Sequence, residues 1–386
     1  MPIANAFLTP AQFDREYFYE MATASCPACH TFQIVDQPDP RQMFHEHYAF
    51  FTRSSKRMVA HFADYAVWVA DQFLKEADPF VVEIGCNDGA MLENFAKRSI
   101  RHLGIEPSAN VAAEAERHGV RTKVAFFGMQ AAREVREGNG PADAIIAANV
   151  ICHIPDINEI ARGVGHLLAD RGVFVFEEPY LGAMIEKGSY DQIYDEHVFI
   201  FSAHSVHNAF QPHGLELIDV VPQATHGGSM RYVLAKQGAY EPAPAVRQLL
   251  AREQELGLSD PATYDAFRER CERSRKALVG LVRSLRAEGK RVVGYAATSK
   301  STTVLNYCGL GPADIEFISD TTPLKQGKFT PGTHIPVRPH EDFSANFPDY
   351  AVLFAWNHEA EIMEKETKFM DSGGKWIKFV PEVAVS

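Results

Sequence analysis

Tyr194, Glu196 and His197 put a phenol, a carboxylate and an imidazole within four residues, directly before the apolar run Val198-Phe199-Ile200-Phe201. Histidine, with an unperturbed pKa of about 6.5, is suited to proton transfer at neutral pH, and a neighbouring phenol or carboxylate can orient its ring. A lone histidine beside a strand is more often a satisfied structural residue, but three proton-active groups in so short a span point to acid–base chemistry. His226 is the rival base. It precedes Gly227 and Gly228, and consecutive glycines allow close approaches that other residues resist. A second set binds rather than reacts: Glu83-x-Gly85-x-Asn87-Asp88-Gly89, with Glu106 about twenty residues beyond the turn. Glycines let a ligand approach the backbone, and a carboxylate ending the next strand accepts hydrogen bonds from ribose hydroxyls. Asn149 ends a later buried run. Lys300, Lys325 and Lys328 could hold a diphosphate or belong to a domain that only packs, and Cys26-Pro27-Ala28-Cys29 supplies two thiols at the spacing of a zinc knuckle, either half of a metal site or unligated.

The elements that must position these groups are legible as an alternation. Phe80 to Ile84 is a buried strand, followed by a tight turn and a helix over 90–97; Arg101 to Glu106 is a second strand, and a helix follows from Ala109. Further strands are expected at 123–127, 143–150 and 172–178, with a helix over 157–168 between the last two. Asn149 then falls at the carboxyl edge of the sheet, where open α/β sheets bind ligands. Ser202 caps a helix containing His204 and His207, which we take for surface or packing residues. A single long charged helix is expected within 240–289. Beyond it, Lys290 to Thr303 is another strand-turn-helix with one glycine where a dinucleotide fingerprint needs three, which argues against bound NAD. The fold class is therefore α/β, with a doubly wound domain, a second Rossmann-like domain and a small N-terminal segment. The expected divisions are an N-terminal segment over 1–74, a ligand-binding domain over 75–238, a helical linker over 239–289 and a C-terminal domain over 290–386.

Composition narrows the function. With 386 residues and 46% hydrophobic content the chain can bury large cores. A net charge of −12 argues against a nucleic-acid partner, since phosphate backbones need a basic face. No apolar run approaches the roughly 18 residues that cross a bilayer, and no signal peptide is visible, so a cytoplasmic location without a membrane partner is expected. Met1 to Leu8 reads like the interior of a protein rather than a solvated terminus. Within the stretch from Phe44 to Phe51, the phenylalanines read as packing residues, while Tyr48 has a polar tip that can face a pocket.

The Glu83-x-Gly85-x-x-x-Gly89 turn resembles motif I of class I S-adenosylmethionine (SAM) methyltransferases, whose sulfonium cofactor needs acidic rather than phosphate-cradling neighbours. With Tyr194 to His197, His226 to Ser229, Asn306 to Gly309 and Lys325 to Thr333, it makes nearly the whole chain similar to the sugar C-methyltransferases that act on nucleotide-linked deoxysugars in bacterial natural-product pathways. That resemblance implies SAM as cofactor, a nucleotide diphosphate sugar as small-molecule substrate, and an enolate formed from a 4-keto-6-deoxysugar. It places the general base on His197, with Tyr194 and Glu196 beside it, and a sugar-contacting tyrosine on Tyr48. It also implies a zinc-bearing N-terminal domain with two Cys-x-x-Cys pairs. Only one pair, Cys26 and Cys29, is present, so the chain is expected to begin inside the family pattern with half of the zinc ligand set. Methylation of a non-sugar acceptor on oxygen, nitrogen or carbon is the alternative, since the fold hosts many chemistries; a binding protein without turnover is a third reading.

Overall fold

The computed structural model describes residues 1–39, 43 and 51–386. Tyr48, together with His45 and His47, lies outside the described residues. The central sheet contains β1 (Phe80–Ile84), β2 (Arg101–Ile105), β3 (Thr122–Lys123), β4 (Ala142–Ala148), β5 (Leu168–Pro179), β6 (Leu215–Gln223) and β7 (Ser229–Lys236). Their order is β3-β2-β1-β4-β5-β7-β6. The first five strands pair in parallel and β7 runs antiparallel between β5 and β6. The chain reverses direction across the sheet between β1 and β4, and ligands settle at such a switch point.

Every residue of β1 is buried because the sheet is covered on both faces. Alternate side chains feed two cores. Val82, Ile84, Ile145 and Ala147 pack with Ala132, Val135, Ile160 and Val164 from the helices Met129–Asn139 and Ile157–Leu167. Val81, Ala144 and Ile146 pack instead with Phe62, Tyr65 and Val69 of the helix Lys56–Phe73.

The C-terminal sheet has β8 (Val292–Tyr295), β9 (Ile318–Ser319), β10 (Val337–Arg338), β11 (Tyr350–Leu353), β12 (Lys375–Lys378) and β13 (Ala384–Val385), in the order β10-β9-β8-β11-β12-β13. The helix Ser299–Cys308 follows β8, as a Rossmann-like unit requires. A third, small sheet pairs Thr23–Ser25 with Phe32–Ile34, and the latter with Phe199–Ile200, immediately after His197. The N-terminal segment is thus stitched to the stretch that carries the acid–base groups. Ile3, Ala4, Phe7 and Leu8 are buried, as their composition demands.

Three sequence expectations shift. The long charged helix is two, Pro244–Glu255 and Pro261–Ala287. The break falls where Gly257 adopts φ +66° and Asp260 caps the second helix, since a residue before proline avoids helical geometry. The strand expected over 123–127 pairs only at Thr122 and Lys123, and Val124 and Phe126 turn out to solvent. The helix expected over 90–97 is regular only from Glu93 to Ala96. Among the described residues, no helix is long and apolar enough to cross a membrane.

Candidate active site

A cavity of about 380 Å³ opens at the carboxyl ends of β1, β2 and β4 and is closed by the C-terminal domain. Its floor is the glycine turn. Gly85 sits at φ +66°, and a Cβ there would lie 2.5 Å from Val150 Cγ2. Asn87 adopts φ +48°, and its N–H donates to Glu106 Oε2 at 3.0 Å. Ser108 N–H donates to the other oxygen of Glu106 at 2.9 Å. The Glu106 carboxylate is therefore fixed by two backbone donors, with lone pairs left over for a diol. Glu83 and Asn149 also line the cavity, and Glu83 Oε2 and Asn149 Oδ1 are buried with no hydrogen-bond partner among the described residues. Burial, with Asp88 and Glu106 nearby, pushes the Glu83 carboxyl well above its ordinary range. Spare acidic acceptors beside a glycine turn fit a cationic sulfonium cofactor with ribose hydroxyls.

Two residues of the expected cofactor set stand off the wall. Asp88 points back from the cavity: its Oδ2 accepts from Arg53 N–H at 2.8 Å. Gly89 packs under the turn against Val120 and Ala115. Both shape the turn and reach no ligand space. Arg53, which sequence reasoning passed over, also donates to Glu93 at 2.7 Å and so clamps the turn from outside.

The opposite wall carries Tyr194, Glu196 and His197. His197 Nδ1 lies 2.8 Å from the Gln192 carbonyl, which can only accept, so Nδ1 holds the proton. Nε2 is then the acceptor, and the Tyr194 hydroxyl donates to it at 2.7 Å. Burial, with His153 and others nearby, holds His197 well below the ordinary histidine pKa, so the ring is neutral. His153 stacks on it with ring centres 5.5 Å apart and planes inclined by 22°. Glu196 accepts from Asn5 Nδ2 at 2.8 Å, and the same nitrogen donates to Ser299 at 2.7 Å. Burial raises the Glu196 carboxyl, and burial with Glu196 beside it pushes Asp195 up to about 8.

His226 lines the same cavity at φ +52°, and Nε2 is buried without a hydrogen-bond partner among the described residues. Burial, then Lys300, pushes it down to about 3. The glycine after it is obligatory, because a side chain there would run into the Trp356 ring. Gln192 joins the two histidines: its carbonyl accepts the hydrogen bond from His197 Nδ1–H and its Nε2 donates to the His226 carbonyl at 2.5 Å.

The three lysines separate. Lys300 and Lys325 line the cavity, whereas Lys328 does not and is half-buried elsewhere on its loop. Lys325 Nζ donates to the Ala297 carbonyl at 2.7 Å and sits 4.9 Å over the Phe7 ring. His153, Gln192 and Asn5 were not foreseen as parts of this site. The one sequence hint for His153 is its place in the turn after Asn149; its fixing partner comes from far along the chain. Glu178 Oε1 accepts from Val150, Ile151 and Cys152 N–H groups at 3.0, 2.7 and 3.3 Å and so holds that turn.

Cys26 and Cys29 form a tight knuckle, with the Cys29 and Ala28 N–H groups holding the Cys26 thiol below its ordinary value. Two thiols do not complete a tetrahedral zinc site. Among the described residues, the one group of three side chains close enough to share a metal is Cys152, His153 and His197, far along the chain from the knuckle. Among the described residues, the donors beside this knuckle do not complete a closed zinc site.

Fold and cavity together define a SAM-dependent methyltransferase. Family models match along the chain: a "Putative zinc binding domain" over 1–44, a "Methyltransferase domain" over 59–220 and a "C-methyltransferase C-terminal domain" over 224–381. The chain is 36% identical over 371 residues to the C-methyltransferase NovU of Streptomyces niveus, covering 96% of this chain and 88% of that one. A ubiquinone biosynthesis O-methyltransferase of Rhodopseudomonas palustris (strain BisA53) matches at 24% over 95 residues, 25% of this chain and 38% of that one. Among solved structures, a SAM-dependent methyltransferase from Clostridium acetobutylicum ATCC 824 aligns at 13% identity and a TM-score of 0.36, over 47% of this chain and 92% of that one. The chain belongs to the C-methyltransferase family that includes NovU, and its activity is SAM-dependent C-methylation.

Proposed function

We propose that the chain methylates a carbon next to the keto group of a nucleotide-linked 4-keto-6-deoxysugar, with His197 as general base. The observation that carries this reading is the His197–Tyr194 pair, a neutral imidazole with its acceptor nitrogen in a cavity that also holds the glycine turn and Glu106. A ketone acidifies its neighbouring carbon, and abstraction of that proton leaves an enolate. A hydroxyl donates one hydrogen bond at a time. When the keto oxygen arrives, Tyr194 turns its O–H to that oxygen, which both stabilises the developing oxyanion and frees Nε2 for the carbon proton. The proton ends on His197 and the carbon is left nucleophilic. Bound SAM supplies the electrophilic methyl and leaves as S-adenosylhomocysteine. Glu83, Gly85, Asn87, Glu106 and Asn149 hold it, and the cavity wall brings the reacting carbons together.

The test uses TDP-, UDP- and GDP-linked 4-keto-6-deoxyglucose in heavy water without SAM. Deuterium should enter at the carbon beside the ketone. No incorporation with any of the three rejects the enolate mechanism.

On the cofactor side, Glu106→Ala removes the ribose acceptor and also strands the N–H groups of Asn87 and Ser108. SAM affinity should fall by roughly 1–3 kcal/mol, the usual cost of leaving polar partners unsatisfied. Calorimetric titration giving the parental affinity would show that Glu106 does not touch the cofactor.

A further inference from the structure

Lys300 is the second residue of the helix Ser299–Cys308, and the whole side chain is drawn inside, at 7% exposure. Its ammonium lines the cavity that holds Tyr194, His197 and His226, yet Nζ has no hydrogen-bond partner among the described residues. It lies 5.5 Å over the Trp356 ring, and Trp356 Nε1 is fixed at 2.6 Å by Asp191. An ammonium has three donors and no acceptor. Burial lowers the Lys300 pKa, and the nearby Asp191 carboxylate opposes that shift without a hydrogen bond to Nζ. An anionic oxygen arriving in the cavity would satisfy the unused donors. Lys325, the other cavity lysine, already donates to a carbonyl. Tyr194 is committed to His197 at 2.7 Å until substrate displaces it. Lys300 is thus the cavity lysine whose donors are unspent before the reaction begins.

We propose that Lys300 is a catalytic residue whose ammonium holds the keto oxygen of the substrate as it becomes the enolate oxyanion. This rests on the enolate reading above. Lys300 sits near both candidate bases, and its charge contributes to holding His197 and His226 neutral, in the proton-accepting form. One group thus keeps the base ready and receives the negative charge that the base creates. Its helix begins here, and the positive end of the helix dipole adds to the same field. The competing role for a buried lysine in this cavity is to hold the diphosphate of the sugar nucleotide, and the two roles separate kinetically.

The experiment compares the parent chain with Lys300→Met and Lys300→Arg, using the same three sugar nucleotides. Deuterium exchange is followed without SAM, alongside titrations with SAM and with TDP, UDP and GDP. Lys300→Met should bind SAM and the nucleoside diphosphates as the parent does, which also shows that it has folded. Its exchange rate at saturating sugar should fall by roughly 10²-fold or more, in line with losing an oxyanion donor, with KM little changed. Lys300→Arg should recover part of that rate. A raised KM with parental maximal rate would make Lys300 a diphosphate holder and overturn the proposal. Parental exchange in both variants would overturn it too, as would a borohydride-trapped sugar adduct on Lys300, which would make the lysine a Schiff-base nucleophile. Exchange absent from the parent chain defeats the enolate reading itself, whereas exchange present in the parent and unchanged in Lys300→Met defeats only the role of Lys300.

Discussion

His197→Asn leaves SAM affinity unchanged and lowers turnover by about 10²-fold or more, the scale of losing a general base. Asparagine keeps a donor for the Gln192 carbonyl but loses the basic nitrogen that Tyr194 now addresses. His226→Asn behaves differently. His226 is set by its backbone turn and by Gln192, and no side chain among the described residues orients its Nε2. Its loss weakens substrate or cofactor binding and costs less in maximal rate. Steady-state kinetics of both variants beside SAM titrations decide between them. A His197 variant with near-parental turnover, or an inactive His226 variant with normal binding, exchanges the two roles. The pH profile gives a second reading. Because burial depresses the His197 pKa, the ring stays neutral as pH falls through the ordinary histidine range, and deuterium exchange should hold steady there. An acid limb centred near 6.5 would point to a solvated histidine as the base.

Glu177→Ala is the variant expected to damage the fold most. The carboxylate is fully buried and accepts from Arg231 Nε and Nη2 at 3.2 and 2.8 Å, from Thr225 Oγ1 at 3.0 Å, and pairs with His61 at 2.7 Å. Arg231 is itself buried, with its guanidinium 3.8 Å over the Tyr65 ring and 4.9 Å over Trp68. Burial alone would push the Glu177 carboxyl up, but His61 and Arg231 overcome it and hold it below the usual range. Removing it leaves a buried guanidinium uncompensated, at a cost of roughly 3–5 kcal/mol. The sign with pH follows: this contribution is present above the ordinary carboxylate pKa and is lost as pH falls through the lower folded value. Urea unfolding at neutral pH should show the deficit, and Glu177→Leu with Arg231→Met should lose much less than Glu177→Ala alone. A loss below about 1 kcal/mol for Glu177→Ala would mean that the pair is far better solvated than its burial implies.

What the sequence made legible was what is local. The run from Phe80 to Gly89 carries its strand, its turn and its two glycines in ten consecutive residues, and in the structure both glycines have positive φ. Tyr194 and His197 stood out because a phenol, a carboxylate and an imidazole crowd into four residues, and the hydrogen bond that joins the outer two closes across three. Direction was not legible. Asp88 lies in the same turn as Asn87, yet its carboxylate faces Arg53, which arrives from 35 residues upstream. Nor could spacing choose among lysines, since entering the cavity depends on how a loop folds back, and Lys328 and Lys325 are loop neighbours with different fates. Asn5 was hidden in an apolar run, and its role needs Glu196 and Ser299 to meet, a matter of tertiary packing alone.

That same asparagine sets an order of events during synthesis. Ala4 N–H bonds to Asp195 across 191 residues, Asn5 reaches Ser299 across 294, and Thr302 closes on the Ala4 carbonyl across 298. Contacts so far apart in the chain are the slowest to form, because a long loop must be closed before any of them stabilises it. Domains generally fold as units during synthesis, and every strand of the sheet from Phe80 to Lys236 precedes Ser299 in the chain. Ala4 and Asn5 therefore meet these partners only after Ser299 and Thr302 have been made. A cofactor cleft can form from the central sheet alone, but the wall on which Asn5 holds Glu196 at the cavity is complete only once the segment carrying Ser299 and Thr302 has docked.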